Sequence, residues 1–359
     1  MSKIGFGRTL VLATLTAIAL TGSPGPGYAQ NNRDDEPLLK FTPHCHPLTV
    51  PVALGPGLPV TDEVSGTLCL REENEHVVRV DVLVPGATYT QTYWDWPLQP
   101  ELYSYVRHAL FAGRATFAFD PLGRGQSSKP ASTLVTMEAD AHALHLVIQH
   151  LISHHGMREV NVVGHSFGSM IAVLETALYH DADRLVLTGL QHSVGPGRGD
   201  YYPANLDPQF AGIGYDSGWL TTRPGTRGGV FYYLKTADPA VIAYDEAHKS
   251  VESQTQFVEG LAQTYTPAGE NLSNQITVPV LEINGEFDLF ACTGPTLDCS
   301  NEAAVHAFEV PYYTEAPILT TRIVANTGHD LNLHPTAPET YEIINAWLNS
   351  PHCPVCPLR

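Results

Sequence analysis

An apolar strand that runs straight into Gly164-His165-Ser166-Phe167-Gly168 and out into a helical stretch leaves few folds open to this chain. The pattern is Gly-x-Ser-x-Gly, with the buried-strand residues 159–163 before it and the helical spacing of 168–179 after it. A strand that turns this tightly into a helix needs glycines, because backbone elements approach one another closely there. The turn lifts the Ser166 hydroxyl above a sheet and sets it at a helix amino terminus, where partial positive charge favours an anionic intermediate. The bare pentapeptide occurs by chance, and it is the strand on one side and the helix on the other that give it weight.

The rest of the chain fits that frame. Segments 48–54, 66–71, 77–84, 115–119, 184–190, 278–283 and 321–325 read as further strands. Segments 102–112, 137–155 and 338–348 read as helices, and 30–47 as a loose lead-in. Continuous apolar strands separated by helices imply a mostly parallel sheet covered on both faces. Chemistry in such sheets lies at the carboxyl ends of the strands. Residues 193–275 break the rhythm. They are rich in Gly, Pro and Tyr, gather Tyr201, Tyr202, Phe210, Tyr215, Trp219, Phe231, Tyr232 and Tyr233, and end in a polar helical stretch over 245–262. This reads as an insertion that caps the strand ends and covers a substrate.

A serine hydroxyl needs a base. The chain has 17 histidines, so position must choose among them. His329 follows the last expected strand and precedes the closing helix, which puts it over the strand ends. His334 is its competitor, and His165 points differently because it adjoins the nucleophile on a tight turn. The base needs an orienting acid, and Asp288 in Gly285-Glu286-Phe287-Asp288 follows a strand, with Glu286 as the fallback. The order Ser, Asp, His is the order this architecture uses. An oxyanion needs two backbone donors. Phe167 supplies one, and the loop Pro85-Gly86-Ala87-Thr88 supplies the other, from Ala87 first and Thr88 second.

These motifs resemble the α/β-hydrolase family. Asp120-Pro121-Leu122-Gly123-Arg124-Gly125-Gln126-Ser127 adds to the likeness, since it is similar to that family's Asp-x-x-Gly-x-Gly-x-Ser turn. The likeness spans roughly residues 75–348. Gly86-Ala87-Thr88-Tyr89 with Tyr93-Trp94-Asp95 further resembles exported microbial α/β-hydrolases of the esterase and lipase type. One departure is Pro85-Gly86 where the family often has His-Gly. The resemblance implies an α/β-hydrolase fold and acyl transfer by Ser166, His329 and Asp288, with Ala87 and Phe167 as the oxyanion hole and no cofactor or metal. Ester, lactone and aminopeptidase-like amide cleavage all suit it, and so does a non-catalytic binding role, because fold does not settle reaction. Ser166 argues against the dehalogenase and epoxide hydrolase branches, which use Asp as nucleophile.

Composition narrows the setting. Of the 359 residues, 43% are hydrophobic and 16% charged, enough for a large core. Lys3 and Arg8 precede an apolar run at 9–20, and Gly27-Tyr28-Ala29 offers small residues for cleavage, so 1–29 reads as an export signal ahead of a mature domain at 30–359. Losing Lys3 and Arg8 takes the net charge from −18 to −20. Such a field disfavours nucleic acid and anionic membrane surfaces, and no other segment is long and apolar enough to insert in a bilayer. The expected partner is a small, uncharged or partly apolar ester-type substrate. Six cysteines in an exported chain imply disulfides. Cys292 with Cys299 and Cys45 with Cys69 are the expected pairs, and Cys353 and Cys356 sit in the tail. His44-Cys45-His46 lacks the further ligands of a metal site. Asn271-Leu272-Ser273 is a glycosylation sequon.

Overall fold

A computed structural model describes residues 41–72, 77–193, 195–292 and 297–351. Residues 1–29, read above as an export signal, lie outside the described residues, as do Cys353 and Cys356.

In chain order the main sheet takes β1 (His44–Ala53), β2 (Val60–Leu70), β3 (Arg79–Val84), β4 (Ala115–Phe119), β5 (Glu159–His165) and β6 (Arg184–Thr188). The stretch read as an insertion holds a separate small sheet of β7 (Tyr201–Pro203), β8 (Trp219–Thr222) and β9 (Glu252–Ser253), and the main sheet resumes with β10 (Val280–Gly285) and β11 (Leu319–Val324). The helices are α1 (Pro100–Tyr103), α2 (Tyr105–Phe111), α3 (Met137–His155), α4 (Phe167–Tyr179), α5 (Arg227–Phe231), α6 (Pro239–Ala247), α7 (Gln254–Thr264), α8 (Glu302–Glu309) and α9 (Ala337–Asn349). The eight-stranded sheet runs β1-β2-β4-β3-β5-β6-β10-β11. From β4 through β11 its neighbours pair parallel, and only the β1–β2 and β2–β4 pairs are antiparallel. This is the mostly parallel α/β sheet expected from the alternation of strands and helices.

Alternate strand residues feed opposite cores, as the two-residue pleat requires. Val82, Val162, Leu185 and Leu187 pack under α3 and α4, whereas Leu83, Val163 and Val186 face α2 and α9. On the second face Asp81 is wholly buried, where Arg114 Nε, Asn161 Nδ2 and the Tyr105 hydroxyl all donate to it. Three partners making four hydrogen bonds to one carboxylate offset its desolvation.

Two expectations need correcting. The helix read over 102–112 is two helices, broken at Ser104, which is extended at φ −101° and ψ 104°. Its hydroxyl donates to Asp95 Oδ1 and accepts from the Arg107 amide, so it serves as a cap rather than a helical residue. The stretch 245–262 is α6 and α7 with β9 between them. Lys249 Nζ pairs with Asp207 Oδ2 at 2.7 Å, the Ser250 amide donates to Thr88 O, and Glu252 pairs with Leu220 in the small sheet, so long-range partners take these residues out of helix. The lead-in is also shorter than expected, since β1 begins at His44. Cys45 and Cys69 face one another across the β1–β2 register and are bonded, and Cys292 is bonded to Cys299.

Candidate active site

β5 ends at His165 and α4 begins at Phe167, leaving Ser166 alone on the turn at φ 52° and ψ −117°. A side chain rarely holds a positive φ, and such strain persists only where the surroundings over-determine it. The glycines either side do so here. A Cβ at Gly164 would fall 2.6 Å from Ser169 Cα, and one at Gly168 would fall 2.3 Å from Val84 O. Both residues must therefore be glycine for α4 to cross β5 and β3 so closely.

Ser166 Oγ lies 2.7 Å from His329 Nε2, and His329 Nδ1 lies 2.8 Å from Asp288 Oδ2. Ser166 is half-buried, whereas His329 and Asp288 are buried. The acid is held in turn: Asp288 Oδ1 accepts from the Phe290 amide, and Asp288 O accepts from the amide of the bonded Cys292. Burial pulls the His329 imidazolium down, but the charge and hydrogen bond of Asp288, with the charge of Asp330, carry it above its ordinary 6.5. An imidazole so placed can take a proton from Ser166 and hold it against Asp288.

The competing residues are engaged elsewhere. His334 Nδ1 meets Asp330 O at 2.8 Å, and its Nε2 accepts the amides of Tyr233 and Gly328. His165 is buried with its nitrogens at Thr188 Oγ1 and Asp330 Oδ1, its ring stacked on Tyr93. Glu286 accepts from the Asn326 amide and does not reach His329.

Ala87 and Phe167 line the same cavity as Ser166 and His329. Among the described residues neither of their amides donates a hydrogen bond. Thr88 is not on the cavity wall. It sits at φ 62°, fully buried, with its hydroxyl accepting from Arg227 and its carbonyl from Ser250. The cavity measures about 190 Å³, and Phe167, Met170, Tyr201, Phe257, Leu261 and Phe290 are among the apolar residues that line it. No carboxylate belongs to the wall among the described residues, and Arg198 is its one permanent cation.

A buried polar web, invisible in the local sequence, joins this site to the insertion. Arg227 Nε donates to Asp245 Oδ2, which also meets the Tyr232 and Tyr89 hydroxyls. Tyr89 reaches Asp330 as well, and Asp330 reaches His165. Arg227 stands 4.3 Å over the Tyr89 ring. Separately, Arg124 donates to Gly86 O at 2.8 Å and pairs with Glu252, so the turn at 120–127 holds the loop that carries Ala87. No periodicity marks Arg227, Asp245 or Glu252. For Arg124 the one signal was its place between two glycines of a recognisable turn.

A family model described as the alpha/beta hydrolase family matches residues 82–338. No curated protein matches the chain in sequence. Three similar solved structures are a thermophilic esterase from Thermogutta terrifontis, a monoacylglycerol lipase from Paleococcus ferrophilus, and a 2-hydroxy-6-oxo-6-phenylhexa-2,4-dienoate hydrolase from Rhodococcus sp. strain RHA1. The first is 16% identical with a TM-score of 0.55, covering 86% of this chain and 100% of its own. The second is 14% identical with a TM-score of 0.52, covering 85% and 98%. The third is 15% identical with a TM-score of 0.54, covering 86% and 100%. At these identities the likeness is one of fold.

Proposed function

This chain belongs to the alpha/beta hydrolase family, and we propose that it is an exported serine hydrolase that cleaves carboxylic esters or lactones through an acyl-enzyme. The observation that carries the reading is the unbroken hydrogen-bonded line from Ser166 Oγ through His329 to Asp288, at 2.7 and 2.8 Å, on the floor of an apolar cavity. Ser166 attacks the carbonyl as His329 takes its proton. Asp288 fixes the imidazole and stabilises its cation. The amides of Ala87 and Phe167 receive the oxyanion. The alcohol leaves with the proton from His329, and water activated by the same imidazole releases the acid.

The wall favours an uncharged, partly apolar substrate. An aminopeptidase-like reading needs acid near the pocket to hold an α-amino group, and no carboxylate lines it among the described residues. Esterase and lipase relatives of the fold fit the ester reading. The 193–275 segment acts as a cap: Tyr201, Phe231, Phe257, Leu261, Thr264 and Tyr265 come from it and line the cavity. Export accounts for the two disulfides. Among the described residues no helix is long and apolar enough to cross a membrane, which is compatible with release.

The test is a fluorophosphonate probe followed by peptide mass mapping, with His329→Ala as control. An adduct on Ser166 that vanishes in the control supports the reading. Folded wild-type protein that stays unlabelled overturns it in favour of a binding role.

A further inference from the structure

Next to Gln191 and Ser193, which line the cavity, three acid-base side chains meet in the core. His192 follows β6, Glu282 is the third residue of β10, and Glu309 ends α8. Each offers one ligand atom, and these atoms lie within 4.8 Å of one another. Glu309 is wholly buried, Glu282 is 1% exposed and His192 is 8% exposed. Glu309 is well served: its oxygens meet the His192 amide at 2.9 Å and His192 Nδ1 at 2.6 Å. Glu282 is served less well. Neither of its carboxylate oxygens has a hydrogen bond of good geometry, and its near donor is the buried Tyr313 hydroxyl beside it.

Among the described residues no Lys or Arg pairs with either carboxylate, and a buried carboxylate is costly unless paired. One proton on Glu282 would remove its charge and leave Tyr313 as the donor to its other oxygen, with Glu309 still charged or in need of a second proton. A divalent ion accepts lone pairs from several donors at once and offsets both charges.

We propose that His192, Glu282 and Glu309 form a binding site for a divalent cation of the zinc class, with the Tyr313 hydroxyl close enough to join or to bond a ligand oxygen. One imidazole nitrogen with two carboxylates suits zinc, whereas calcium takes six to eight oxygens. Tetrahedral bonds of about 2.0–2.1 Å hold ligand atoms roughly 3.3 Å apart, so on binding the 2.6 Å His192–Glu309 contact opens by about 0.7 Å and the wider separations, within 4.8 Å, close. The ion would pin three elements together: the segment after β6 that gives Gln191 and Ser193 to the cavity wall, the strand that leads to Asp288, and α8. Its role is structural, and it stands whether or not Ser166 is a nucleophile.

The experiment strips the whole mature protein with a chelator and titrates Zn²⁺ by calorimetry, with Mn²⁺ and Ca²⁺ in parallel, against E282Q and E309Q. Surface histidines such as His154 and His155 take up zinc too, so the difference between wild type and variant is what counts. The expected result is one saturable Zn²⁺ more per chain in wild type, with a rise in its Tm that E282Q does not share. Equal stoichiometry in both proteins, or no saturable uptake by wild type, overturns the proposal. Zinc-edge absorption on wild type alone covers the case of variants that fail to fold. One imidazole with oxygens supports the site, and a shell of several imidazoles refutes it.

Discussion

The phenol oxygen of Tyr89 lies 2.5 Å from Asp330 Oδ2, and so ties the loop that carries Ala87 to the loop that carries His329. The same oxygen lies 2.9 Å from Asp245 Oδ2 in the insertion. One hydroxyl has one proton to give, so the second contact requires a proton on one of the two carboxyls. Burial pushes both above the usual carboxylate range, against the pull of Arg227 on each and of His329 on Asp330. Tyr89→Phe removes the shared oxygen and leaves buried acceptors short of a partner. It is expected to cost about 1–3 kcal/mol in urea denaturation, and to lower kcat more than it alters KM, because the groups it holds flank the reacting atoms.

Ser166→Ala and His329→Ala are each expected to lower turnover of a small ester by about 10⁴–10⁶-fold. Asp288→Asn is expected to cost about 10⁴-fold by favouring the wrong imidazole tautomer. Circular dichroism should remain that of wild type in all three. Near-normal turnover in any of them removes that residue from the mechanism.

The pH profile has a defined sign. His329 works as a base only when neutral, and its folded-state pKa stands above 6.5 through Asp288, despite burial. Protonation therefore sets in at a higher pH than for a free imidazole, and the acid limb of kcat/KM has its midpoint above 6.5. In Asp288→Asn the residual activity should show that limb at lower pH. A wild-type midpoint at or below 6.5 contradicts the pairing.

Arg124 and Glu252 are both buried and carry opposite charges between the loop of Gly86 and Ala87 and the small sheet of β7, β8 and β9. Burial pushes Glu252 up to about 7 even beside Arg124. Arg124→Met strands the carboxyl and releases Gly86 O, with an expected loss of about 3–5 kcal/mol in chemical denaturation. Adding Glu252→Gln should recover part of that loss. Additive losses would deny the coupling.

Phe257 stacks near Phe167 and tilts against Tyr201, and all three line the cavity. Phe257→Ala opens apolar space. In a series of p-nitrophenyl esters, kcat/KM for short acyl chains should fall about 10-fold or more while the preferred chain grows longer. An unchanged preference would place the acyl group elsewhere.

The strands of the main sheet and its mostly parallel character were legible because apolar runs and helical spacing are local properties, whereas the order β1-β2-β4-β3-β5-β6-β10-β11 is not. Helix ends were legible where a cap is local, as at Thr136 and Gly156 around α3. That Ser166, Asp288 and His329 meet was legible because each follows a strand, and a parallel sheet delivers its strand ends to one place. Arg227 and Asp245 were not, since their partners Thr88, Tyr89 and Tyr232 come from segments whose approach no spacing encodes. The break at Ser104 and the strand at β9 failed for the same reason: Asp95 and Leu220 decide them from outside. Glu282 looked like one more residue in an apolar strand, and only folding brings it to His192 and Glu309.

Among the described residues β1 forms one margin of the main sheet, pairs only with β2, and carries Pro47 and Pro51. A proline has no amide hydrogen, so within a strand it sits where that hydrogen would have pointed away from the neighbour. Four residues apart, these two share a phase and leave Thr49 as the sole outward amide between them. A strand from another molecule would find too few donors there to lay itself alongside. With Cys45 bonded to Cys69, β1 cannot peel back to expose β2 in its place. This margin of the molecule is thereby closed to sheet-by-sheet growth into fibres, whatever concentration the protein reaches.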